Sequence, residues 1–236
     1  VVNSDYNVYI CLSNGSYGKR CSTILNYLGR DNDIIDMGDF LPPDPELLEK
    51  KLEQDPHISH VIVIHCETSS GILNPIKKIS KIVKSFNRSL LIDSMSAFGA
   101  IPIDCAEIEF DALVSSANKC IEGVPGFGFV LTKKSVLEKS KNNSHSLSLD
   151  LYDQWKYLEE KGQWRFTPPT HTILGFLSAL NQHASEGGVL GRLNRYEANK
   201  NILVEGMRDL GFETLLSDKW ILSLIHISEP TRHRGI

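Results

Sequence analysis

Short apolar, β-branched runs alternate with amphipathic stretches along the first 130 residues or so. Val8–Leu12, Ile34–Met37, Val61–His65, Ser89–Asp93, Ala112–Ser115 and Gly126–Leu131 read as strands. Val61–Ile64 is apolar at every position, the mark of a strand buried on both faces. Between the strands, Ser16–Leu28, Pro45–Gln54 and Pro75–Phe86 have helical periodicity. The second helix is entered through Pro42, Pro43 and Asp44, and the third has Pro75 in its first turn, where a missing N–H costs nothing. Strand and helix alternating at this spacing predict an α/β fold with a mostly parallel sheet.

Beyond residue 150 the pattern turns helical: Asp150–Glu160, His171–Ala184 and Val189–Leu210, the last with its charges on an outer face. The proline-interrupted loop Gln163–Thr170 and the pair Gly187-Gly188 separate them. Gly211 caps the long helix, and Phe212–Leu216 opens a new strand, read as the start of a second domain.

In parallel sheets ligands bind outside the carboxyl ends of the strands. Three polar clusters fall there: His65–Gly71, Asp93–Ser96 and Ser115–Lys119. Composition narrows the class. With 41% hydrophobic residues in 236 and a formal charge of −4, the chain is neither disordered nor a strongly basic nucleic-acid binder. No apolar run is long enough to cross a bilayer, so no membrane partner is expected. The chain opens on Val1 without a basic segment and apolar run, so no secretory leader is expected, and the start is either processed or that of a fragment. Five cysteines, at 11, 21, 66, 105 and 120, follow no zinc or redox spacing. Cys11, Cys66 and Cys105 are expected to pack as small hydrophobes in a reducing, cytoplasmic setting.

Lys119 follows small residues at a strand end, where desolvation would lower its pKa and ready the amine for a Schiff base with an aldehyde. A surface lysine in a turn fits the same position. Asp93 ends an apolar strand, where a buried carboxylate needs a cationic or hydrogen-bonding partner; a protonated pyridine nitrogen is one, and a helix or turn cap the other. His65 and Glu67 lack a third ligand at any metal spacing, so no metal is expected. No Gly-x-Ser-x-Gly elbow marks a hydrolase, and the glycines of 123–128 lead into a strand, unlike a dinucleotide loop.

Four longer segments carry more information. His65-Cys66-Glu67-Thr68-Ser69-Ser70-Gly71-Ile72-Leu73-Asn74-Pro75, Asp93-Ser94-Met95-Ser96-Ala97-Phe98-Gly99, Ser116–Gly128 and Gly162–His171 resemble, in order, the 2-aminoethylphosphonate–pyruvate transaminases, a family of the class V aminotransferases. The resemblance runs from about Tyr9 to Lys219. It implies the large domain of a fold-type I transferase that uses pyridoxal 5′-phosphate, spanning 1–187, with 188–221 beginning a small C-terminal domain. It implies that Lys119 carries the cofactor and moves protons, and that Asp93 holds the ring nitrogen protonated. Thr68 would bond near the ring's phenolic oxygen, and Tyr17, in Asn14–Arg20, would stack on the ring, unless it is a core residue at a helix start. Asn118 would lie near the cofactor phosphate, and Thr167 would reach it from the partner of a homodimer. Trp155 and Trp164 read as packing.

The implied reaction moves the amino group of 2-aminoethylphosphonate to pyruvate, an amino donor and a 2-oxo acid acceptor. An alanine–glyoxylate or serine–pyruvate enzyme, and a catalytically inert fragment, stand as alternatives. Two family features have no counterpart in the chain: a Ser-Gly-Thr phosphate loop before its start, and an arginine for the substrate's anionic group. Leu222–Arg232 resembles translated sequencing-adapter sequence, so 222–236 is expected to carry no function, the alternative being a natural tail with one edge strand.

Overall fold

In the computed structural model, which describes residues 7–214, Leu216 and the backbone of Ile227–Ser228, the expected alternation becomes an open twisted α/β sheet. Strand β1 (Val8–Ser13) leads into helix α1 (Ser16–Tyr27), β2 (Asn32–Asp36), α2 (Pro45–Gln54) and β3 (Ile58–Ile64). A small hairpin, β4 (Cys66–Glu67) and β5 (Ile72–Leu73), precedes α3 (Ile76–Ser85), β6 (Ser89–Asp93), β7 (Ala112–Ser116) and β8 (Gly128–Thr132). Four helices follow: α4 (Lys134–Lys139), α5 (Leu151–Lys161), α6 (Thr170–Ser185) and α7 (Gly188–Asp209).

The main sheet runs β2-β1-β3-β6-β7-β8, parallel throughout except for β8, which pairs antiparallel with β7. The chain steps outward from β1 to β2, then returns to place β3 on the other side of β1. That reversal opens a crevice beyond the carboxyl ends of β1 and β3, where α/β sheets take their ligands.

Apolar side chains of β1, β3 and β6 meet those of α2 and α3 in one core that includes Ile10, Leu48, Val61, Ile79 and Ile92. Leu48 and Ile79 are fully buried, each worth roughly 2 kcal/mol of apolar transfer. The start of α2 follows from sequence: Pro45 opens the first turn and the Asp44 carboxylate accepts the Glu46 N–H at 2.8 Å. Pro75 caps α3 from just outside it instead of lying within its first turn.

Three expectations change. Cys105 is exposed, while Cys11, Cys66 and Cys120 are buried. The strand expected at 212–216 is limited to Glu213–Thr214 among the described residues, paired antiparallel with Ile227–Ser228. The long helix does not turn every charge outward, because Arg192 is only 2% exposed. Of the segment 222–236, all but the backbone of Ile227–Ser228 lies outside the described residues. No described helix is long and apolar enough to cross a membrane.

Candidate active site

Each of the three polar clusters occupies the end of its strand. Asp93 closes β6, and its carboxylate accepts the Met95 N–H at 2.9 Å. Partial burial pushes its pKa up; the Met95 N–H opposes this and the nearby Glu67 adds to it. Among the described residues Asp93 forms no salt bridge, so its carboxylate is half-buried beside a single neutral donor. Such a group favours a cation.

A cavity of about 270 Å³ opens beside it, lined by Asp93, Lys119, Tyr17 and Thr68. Its other walls are Arg20, Ile64, Met95 and Ser96. Four of the six expected cofactor residues thus converge from three strand ends and one helix. Asn118 and Thr167 are exposed and outside this lining. Lys119 stands on the turn after β7 and is exposed in the single chain. It is one of the residues that line the cavity.

The backbone of Tyr17, and that of Ser69 next to Thr68, are set in place by a residue first weighed only as a metal ligand. Glu67 is fully buried and accepts the N–H groups of Tyr17 (3.3 Å), Gly18 (3.1 Å) and Ser69 (3.1 Å). Ser69 donates its hydroxyl to the same carboxylate at 2.6 Å and accepts the Ser16 N–H at 2.8 Å. Helix α1 has no side-chain cap of its own, so the β4–β5 hairpin caps it from some fifty residues away. Contact is close enough that a Cβ on Gly15 would strike Ser69 Oγ and Glu67 Cγ. Because Glu67 fills this helix terminus, an anion cannot dock there. Only the fold brings these residues together; their spacing gave no signal.

Arg20 also went unnoticed in the sequence. It lies one turn after Tyr17, with its guanidinium 4.6 Å from the ring centroid. His65 is sealed beneath the site, 2% exposed, its Nδ1 paired with Ser94 Oγ at 2.9 Å; burial lowers its pKa to about 4. Among the described residues no cluster could hold a metal ion. Trp155 receives Lys134 over its ring, consistent with packing, whereas Trp164 is exposed.

The cavity thus lies at the reversal of strand order in an α/β fold, with an amine on one rim and a half-buried carboxylate on the other. Residues 23–223 match the family model for aminotransferase class-V, and the chain belongs to that family. It is 57% identical over 216 residues to a 2-aminoethylphosphonate–pyruvate transaminase of Rhizobium meliloti, covering 92% of this chain and 56% of the relative. A second relative of that name, from Paraburkholderia xenovorans, is 57% identical over 211 residues, covering 89% of this chain and 54% of its own. The chain therefore spans about half the length of these curated relatives. The fold superposes on an alanine–glyoxylate aminotransferase from Nostoc with a TM-score of 0.85 at 21% identity, covering 96% of this chain and 61% of that one.

Proposed function

We propose that the chain contributes the cofactor-binding part of a pyridoxal-phosphate transaminase that moves the amino group of 2-aminoethylphosphonate to pyruvate, giving phosphonoacetaldehyde and L-alanine. The observation that carries this is Asp93 and Lys119 facing one cavity in a chain 57% identical to transaminases of that name. Bound there, the cofactor supplies an aldehyde that condenses with amines and a pyridinium ring that accepts an electron pair from the adjoining carbon.

The residues divide the remaining work. Asp93 holds a proton on the ring nitrogen, and the half-burial that raises its own pKa strengthens that pairing. Lys119 would provide the amine that holds the aldehyde, and its freed amino group would move a proton between substrate and cofactor carbons. Tyr17 offers a ring face for stacking, and Thr68 a hydroxyl toward the phenolic oxygen. Asn118 and, from the second copy of a homodimer, Thr167 serve the phosphate; their exposure in a single chain is consistent with that role. The large domain is assigned to 1–187 and the beginning of a small domain to 188–221, in a cytoplasmic protein.

Adding pyridoxal phosphate and reducing with borohydride should label residue 119. Lys119→Ala should abolish that label. In the full-length protein Asp93→Ala should retain some cofactor yet lose transamination by about a hundredfold or more. A label elsewhere, or undiminished turnover, refutes the assignment. Screening 2-aminoethylphosphonate against alanine and serine, with pyruvate or glyoxylate as acceptor, tests the donor.

A further inference from the structure

The turn that bears Lys119 is an unusual piece of backbone. The Glu122 N–H donates to the Lys119 carbonyl at 2.8 Å and the Gly123 N–H to the Ala117 carbonyl at 2.8 Å. Glu122 itself takes a left-handed conformation, φ +60°, which side-chain-bearing residues rarely adopt without support. At Gly123 a Cβ would come within 2.8 Å of the Ala117 oxygen. These two bonds close the turn but leave the Cys120 carbonyl and the Glu122 side chain to be held from outside it.

The support comes from below, through α7. Arg192 is buried under the turn and donates through Nη1 to the Cys120 carbonyl at 2.6 Å, with the Glu122 carboxylate 3.1 Å from the same nitrogen. Its Nε and Nη2 both meet Glu186, at 2.8 and 2.7 Å. Arg195 and Tyr196 close on the far oxygen of Glu122, each at 2.9 Å. A planar guanidinium can bond a carbonyl and two carboxylates at once, which a lysine ammonium in its place cannot do with the same geometry.

Resting on the function proposed above, we infer that Arg192 is a positioning residue for Lys119. By fixing the Cys120 carbonyl and the Glu122 carboxylate, it sets the direction in which the amine leaves the turn. It is not among the residues that line the cavity. It acts through the backbone carbonyl of Cys120, the residue next to the lysine, and through the side chain of Glu122.

Arg192→Lys and the milder Glu122→Gln test this in the present chain, with two readouts. One is borohydride trapping of pyridoxal phosphate at residue 119 against cofactor concentration; the other is amide hydrogen exchange of 117–123. Both variants should need about tenfold more cofactor for half-maximal trapping, since small displacements of a reacting group are costly. Exchange in 117–123 should rise by about tenfold while β3 and β6 stay protected. A lowered melting temperature with unchanged trapping and exchange would make Arg192 a purely structural residue and overturn the inference. Should the unsubstituted chain give no label at 119, the functional reading fails. Exchange in the turn then decides separately whether Arg192 holds it.

Discussion

The two rims of the cavity are built on opposite plans. On the Tyr17–Thr68 side everything rests on buried material: strand ends, a hairpin, and a carboxylate enclosed by three backbone donors and a hydroxyl. On the Lys119 side the reactive group is exposed on a turn, and its order comes from a guanidinium underneath. Under the proposed function, the aromatic platform of Tyr17 would have to keep one orientation, whereas a lysine displaced and re-attached in each cycle would need freedom at its tip and constraint only at its base. The contrast teaches that rigidity is placed according to what each rim must do.

The largest test of this contrast is Glu67→Ala. Three N–H groups lose their buried acceptor together, and at about 1–3 kcal/mol for each unsatisfied donor the total loss should be about 4 kcal/mol, allowing for relaxation. Urea unfolding measures it, and Glu67→Gln, which keeps one oxygen, should lose less. A loss below about 1 kcal/mol for the alanine variant would show that the platform does not depend on the hairpin.

Acid should strain the same side next. His65 is neutral in the folded chain with its pKa at about 4, against an ordinary 6.5, so the unfolded state gains a proton first as pH falls. Stability is unaffected above pH 6.5 and declines between 6.5 and 4, by roughly 3 kcal/mol from this residue. Denaturant unfolding at pH 7 and pH 5 reveals the slope, and His65→Asn should flatten it.

The smallest effect belongs to the cysteines. Burial pushes the Cys11 and Cys66 thiols up to about 12 and the Cys120 thiol to about 11, so they should resist alkylation at neutral pH. Exposed Cys105 should react first, and Cys105→Ser should change stability by no more than about 0.5 kcal/mol.

Much of the fold was legible because its main strands are short β-branched runs and its helices carry caps such as Asp44 and Asp150 that work within a few residues. The antiparallel β8 was not foreseen, although the turn from β7 is too short for the crossover a parallel neighbour requires. Helix α4 escaped notice because six residues offer too few turns for a period to show. Within the site, Lys119 and Asp93 were readable since each chemistry needs one residue type at a strand end. Glu67 and Arg192 were not, because what they do depends on partners about fifty and seventy positions away.

One dimension of α7 has a mechanical consequence. Its 22 residues span about 33 Å, with the near end bolted beneath the amine's footing. Pivoting such a rod by five degrees at that end sweeps its tip through about 3 Å while the base scarcely shifts. A tilt of α7 that carries Asp209 through that distance therefore leaves the footing of the Lys119 turn almost in place.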